Sequence, residues 1–167
     1  MITSVAEFRK YFEGVRGRTH NYVKTIPPDE INWSPGPQRF SCGDLVRHLA
    51  ATEQMYVTVV LENKWQYHGH EPTEHTWTLD GIIAELNVLH DNAMEKLLTL
   101  PDNQLNEPRF GPVPDTRPLK AWRWLMLMVE HEIHHRSELA SYLTQMGYQP
   151  PQIYGLSFED LQSLASD

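Results

Sequence analysis

Apolar residues recur along this chain at steps of three and four, in long runs separated by clusters of proline and glycine. In the first run Val5, Phe8, Phe12, Val15 and Tyr22 share a stripe, which predicts a helix from about Ser4 to Lys24, stopped by Ile26-Pro27-Pro28. A second helix is predicted from Ser41, where the Ser-x-x-Asp spacing to Asp44 resembles a capping box. Its face carries Leu45, His48, Leu49, Thr52, Tyr56, Val59 and Val60. A third starts near Thr78 and carries Ile82, Ile83, Leu86, Leu89, Ala93, Leu97 and Leu98 before Pro101. A fourth is predicted from about Thr116, with Pro118 in its first turn, to about Met146, closed by Gly147. A short fifth helix fits Phe158–Leu164. No segment alternates as a strand does. The fold class expected is all-α, a four-helix bundle with a short C-terminal helix, in one domain over residues 1–167. The proline-rich stretch from Asp102 to Arg117 reads either as a functional loop or as a crossover between non-adjacent helices.

One polar interruption of these stripes carries chemistry. The segment HEIHH, His131 to His135, satisfies H-E-x-x-H, the zinc-peptidase pattern of two ligands and a general base on one helix. Residues four apart lie about 40° apart around a helix axis, so His131 and His135 share a face with Trp124, Met128, Glu138, Tyr142 and Met146. Imidazoles on an apolar stripe need partners, and a metal ion would organise them. His48 lies on the apolar face of the second helix, and bundles build metal sites from inward side chains on facing helices. Three neutral histidines with an open position make a catalytic type of site, with His134 as the competing ligand at the edge of the stripe. Glu138 is the nearest candidate carboxylate, as a base or as a partner to a ligand. Glu53 points about 140° away from His48 and receives no role. His20 and His90 lack paired spacing, and His68, His70 and His75 read as a solvated loop. The peptidase reading is weak: no downstream x-x-G-x-x-H follows His135, and no edge strand is available to hold a peptide.

Composition narrows the class further. A formal net charge of −8 disfavours nucleic-acid binding. The start MITSVAEFRKYF has no secretory-leader pattern, and no apolar run is long enough to span a membrane, so a cytoplasmic location is expected. The single cysteine, Cys42, excludes an internal disulfide and is expected to pack in the first turn of the second helix rather than act as a nucleophile. On the fourth helix Trp122, Leu125, Val129 and Ile133 form a second apolar stripe opposite the histidines, as in a central core helix or an interface.

Four segments carry a resemblance to a known family. IPPDEINWSPGPQRFSCGDLVRHLAATEQMY, residues 26–56, is similar to a tryptophan, proline-turn, serine-capped-helix, histidine and glutamate pattern. HEIHHRSELASYLTQMG, residues 131–147, resembles a signature H-x-x-H-H-R-G-Q-L followed by Tyr-Leu and a closing Gly. PPQIYG, residues 150–155, and Thr116–Arg117 are the weaker matches. Together they resemble the DinB-like superfamily of small helical-bundle metalloproteins. The sequence departs from the signature in having Arg-Ser-Glu-Leu, which puts Glu138 where Gln is usual. The resemblance implies an up-down-down-up bundle, a homodimer, and a metal triad that falls on His48, His131 and His135. Three histidines with an open position make zinc the first expectation for a divalent transition metal, with nickel, iron or manganese the others. Related members are bacillithiol transferases and mycothiol-dependent isomerases, which implies a low-molecular-weight thiol co-substrate and a small-molecule substrate. The alternative is a non-enzymatic, stress-related metal-binding bundle.

Overall fold

In the computed structural model, which describes residues 2–112 and 117–165, four long helices form a bundle and a short one follows. They are α1 (Val5–Val23), α2 (Cys42–Glu62), α3 (Leu79–Leu97), α4 (Ala121–Gln145) and α5 (Phe158–Leu164). Their boundaries follow local chemistry. Ser4 and Thr78 accept hydrogen bonds from backbone amides in the first turns of α1 and α3, and Ser41 with Asp44 makes a full capping box on α2. At the other end of α4, Gly147 takes φ 88°, which lets the Tyr148 amide donate back to the Leu143 carbonyl. At Gly81 an added Cβ would lie 1.8 Å from the His75 carbonyl oxygen, so only glycine lets α3 start that close to the preceding turn.

The start of α4 differs from the expectation. The helix begins at Ala121, and Pro118 stands before it, outside the first turn; Thr116 lies outside the described residues. The cause is a two-residue antiparallel ladder of β1 (Pro108–Arg109) and β2 (Leu119–Lys120), whose extended backbone a helix cannot share. A pairing this short leaves no alternation for a sequence to display. The Arg109 side chain anchors it to the end of α2 by donating from Nε to the Val60 carbonyl at 2.6 Å.

The main packing partners are α2 with α3 and α4, and α1 with α4, so consecutive α1–α2 and α3–α4 sit diagonally. The stretch from 98 to 120 is therefore a crossover. The 63–78 segment runs back along α2, where Arg47 donates to the carbonyls of His70 and Thr76, so α3 starts beside the start of α2. Directions are thus up-down-down-up, as the family resemblance implies.

Two apolar clusters fill the bundle. One gathers Phe8, Phe12, Val60, Leu97, Leu125 and Val129; the other gathers Val23, Val46, Ile82, Leu86, Leu139 and Leu143. Leu125 and Val129 of the second α4 stripe are spent in this core, Trp122 is half-buried against it, and only Ile133 stays exposed. Between the clusters, at one height in all four helices, lies a polar layer. No helix among the described residues is long and apolar enough to cross a membrane.

Candidate metal centre

The polar layer has two halves. On one flank α2 and α4 bring His48, His131 and His135 together. The Nε2 of His131 lies 3.1 Å from the Nε2 of His48 and 3.1 Å from that of His135. Ligands about 2.0–2.1 Å from a tetrahedral ion would be about 3.3 Å apart, so the spacing fits one small divalent ion. The residues are those chosen by spacing and by resemblance. His134 stands outside this triad: its side chain is 67% exposed, 3.7 Å from Glu138, and with His135 and Glu138 it forms a second, more exposed group of candidate ligands.

What the other ring nitrogens do is as informative. His135 Nδ1 donates to Glu138 Oε2 at 2.6 Å. His48 Nδ1 lies 2.8 Å from the Tyr67 hydroxyl, which is itself 2.7 Å from His70 Nδ1. Thr52 donates its hydroxyl proton to the His48 carbonyl at 2.7 Å, which leaves its oxygen to face His131 Nδ1 at 3.4 Å. Each Nδ1 thus has an oxygen able to accept its proton, and with the protons on Nδ1 the Nε2 lone pairs turn toward one point. Glu138, the candidate carboxylate, holds Arg39 with its other oxygen at 2.6 Å. Glu138→Gln and Tyr67→Phe are each expected to weaken metal binding about 10–100-fold, measured by competition with a chelating dye, while leaving the helical circular dichroism unchanged.

The electrostatics suit neutral ligands. Burial, then the neighbouring histidines, push His48 down to about 4 and His131 to about 3, so both are unprotonated at neutral pH. His135 is also lowered, by burial first, with Glu138 pulling the other way. Because the unfolded chain keeps these groups near the usual 6.5, it binds more protons between that value and 3–4. In the metal-free protein the contribution of these histidines is therefore expected to be fully present above pH 6.5 and to be lost as the pH falls toward 3–4, in urea titrations at stepped pH beside His131→Ala.

Cys42 packs, as expected. It is fully buried and burial raises its thiol to about 12. His70 corrects the reading of its loop as solvated. It is half-buried, its ring centroid stands 4.5 Å from that of Phe40 and 5.6 Å from that of His48, and through Tyr67 it closes one side of the site. His68 and His75 remain exposed. Phe40, Tyr56 and Tyr67 wall the site with aromatic rings.

The other half of the layer is a buried charge network that spacing alone did not reveal. Each long helix supplies a member: Arg16 from α1, Glu53 from α2, His90 from α3 and Glu132 from α4. Arg16 Nη2 lies 2.5 Å from Glu53 and 3.1 Å from Glu132, while His90 bridges Glu53 at 2.8 Å and Glu13 at 3.0 Å. Burial alone would lower His90, but the hydrogen bond and charge of Glu53 and the hydrogen bond of Glu13 outweigh it and raise it. Glu132, the would-be peptidase base, is 2% exposed and points into this network, where burial raises it against the pull of Arg16. The H-E-x-x-H geometry of a peptidase is therefore absent: the acid pairs with Arg16 and not with the histidine site.

Residues 1–166 match the sequence profile of the DinB family. The chain belongs to the DinB family. Among curated proteins, this DinB-family chain is 26% identical over 145 residues to the uncharacterized protein YjoA of Bacillus subtilis strain 168, covering 83% of this chain and 88% of YjoA. The crystal structure of YjoA superposes with a TM-score of 0.69 at 22% identity, over 88% of this chain and 97% of that one. A DinB-like protein of Bacillus cereus ATCC 10987 gives 0.76 at 15% identity, over 91% and 99%. YfiT of Bacillus subtilis, described as a probable metal-dependent hydrolase with an unusual four-helix bundle topology, gives 0.67 at 18% identity, over 87% and 89%. These structural likenesses bear on the fold.

Proposed function

We propose that this DinB-family protein is a cytoplasmic, divalent-metal-dependent enzyme that acts on a small molecule, as a thiol-dependent transferase or a hydrolase. The observation that carries it is the convergence of three Nε2 atoms with every Nδ1 engaged. The description of YfiT as a probable metal-dependent hydrolase supports the same reading. Three imidazoles and no thiolate favour zinc, with nickel, iron and manganese as the other fits. A divalent ion there would supply Lewis acidity toward a thiol or water.

The chain's own groups do the rest. His48, His131 and His135 would hold the ion, and Glu138, Tyr67 and Thr52 keep their rings oriented. Phe40, Tyr56 and Tyr67 limit water, which strengthens charge interactions inside. The half-buried state of His48 and His131 leaves a face open to a substrate, unlike a closed structural site. The homodimer belongs to the same proposal, supported by the exposed apolar residues Ile133, Phe158, Leu161 and Leu164. The test is a paired assay of zinc-loaded protein with an activated ester and with a thiol plus an electrophile. Turnover in one of them that vanishes in His131→Ala is expected; equal rates with and without His131 would contradict the proposal.

A further inference from the structure

Beside the three histidines, on the side of His135, a small cavity of about 190 Å³ lies between two elements. The α1–α2 loop provides Gln38, Arg39 and Phe40, and α4 provides His134, His135 and Glu138. The space suits the head group of a ligand rather than a whole one. The loop segment is built rather than loose. Ser34 donates its hydroxyl to the Gly36 carbonyl at 2.9 Å and lies 3.1 Å from the Arg39 carbonyl, while Gln38 takes φ 64°, a left-handed conformation uncommon outside glycine. Such backbone strain gathers at ligand clamps and here presents Arg39 and Phe40 to the site.

We propose that Arg39 anchors a carboxylate of the substrate whose reactive end sits at His48, His131 and His135. The donors that Arg39 keeps free beside this cavity carry this. Its one acid, Glu138, is already spent, with Oε1 on Arg39 and Oε2 on His135, both at 2.6 Å. Arg39 uses Nη2 for that bond and its side chain is 55% exposed, so further N–H donors face the cavity mouth or solvent. Arg47, the other guanidinium near the site, is engaged by Asp44 and by the carbonyls of His70 and Thr76. The rest of the lining, Gln38, Phe40, His134 and His135, adds no acid. In a chain of net charge −8, an anionic substrate needs such a local cation to be held against the overall field. An arginine suits the task because its planar fork matches a carboxylate.

This inference rests on the metal-centre reading above, and one experiment separates the two. The protein is loaded with cobalt(II), and its visible absorption is titrated with 3-mercaptopropionate and with the methyl ester of that acid. Binding of both thiols with about tenfold preference for the acid is expected in the wild type. Arg39→Ala should remove the preference while leaving the ester's affinity unchanged, and Arg39→Lys should restore part of it. Equal affinity of acid and ester in the wild type, or a preference that survives Arg39→Ala, overturns the role of Arg39 but leaves the metal centre standing. An equal loss for both thiols in Arg39→Ala assigns Arg39 only to holding Glu138 and also overturns it. A protein that takes up no cobalt removes the metal centre and this inference together.

Discussion

Replacing Arg16 with alanine is expected to cost the fold about 3–5 kcal/mol, the range for breaking a buried ion pair by deleting one partner. The guanidinium lies between Glu53 and Glu132, both with side chains almost wholly buried. Removing it leaves two carboxylates facing each other in the core, with His90 alone to offset them. For a domain of this size each kcal/mol moves Tm by about 2–4 °C, so a fall of roughly 6–20 °C should appear in thermal unfolding followed by circular dichroism. Arg16→Met is expected to do no better, since the packing it restores does not remove the unpaired acids. A loss under about 1 kcal/mol would mean that water reaches the layer and solvates it.

Zinc is expected to stabilise the wild-type protein strongly. A ligand bound only by the folded state adds about 4 kcal/mol when present at a thousand times its Kd. That corresponds to a rise in Tm of roughly 8–16 °C. The rise should vanish in His131→Ala, because His131 Nε2 is the atom that lies 3.1 Å from both other ligand nitrogens. It should shrink without vanishing in Glu138→Gln, which loosens only the orientation of His135. A zinc effect of equal size in His131→Ala would locate the binding elsewhere, for example at exposed acidic groups.

The helices were legible because their apolar stripes, serine and threonine caps and closing glycine are local signals, and local signals survive in a sequence. The start of α4 was not, because the β1–β2 ladder that delays it is a pairing between Arg109 and Leu119, ten residues apart, with no periodicity of its own. The histidine site was legible in part. His131 and His135 declare themselves by spacing, and His48 by standing on an apolar face. His70 did not, since it joins the site only because the 63–78 segment folds back along α2 and Tyr67 bridges the two rings. The charge network leaves a mark that shows only when several helices are compared. Arg16 follows Phe12 by one turn, His90 follows Leu86 by one turn, and Glu53 follows Leu49 by one turn, each a polar residue on a buried stripe. Taken together, these interruptions mark one polar layer across the bundle.

The most direct measurement on the central claim is the metal content of purified, untagged protein after reconstitution and desalting, beside His48→Ala and His131→Ala. The account predicts about one transition-metal ion per chain in the wild type, and loss of that ion in both variants with the helical circular dichroism retained. Wild-type protein that binds no zinc or nickel, or variants that keep their ion, would contradict it and leave the three histidines as hydrogen-bonded members of the core.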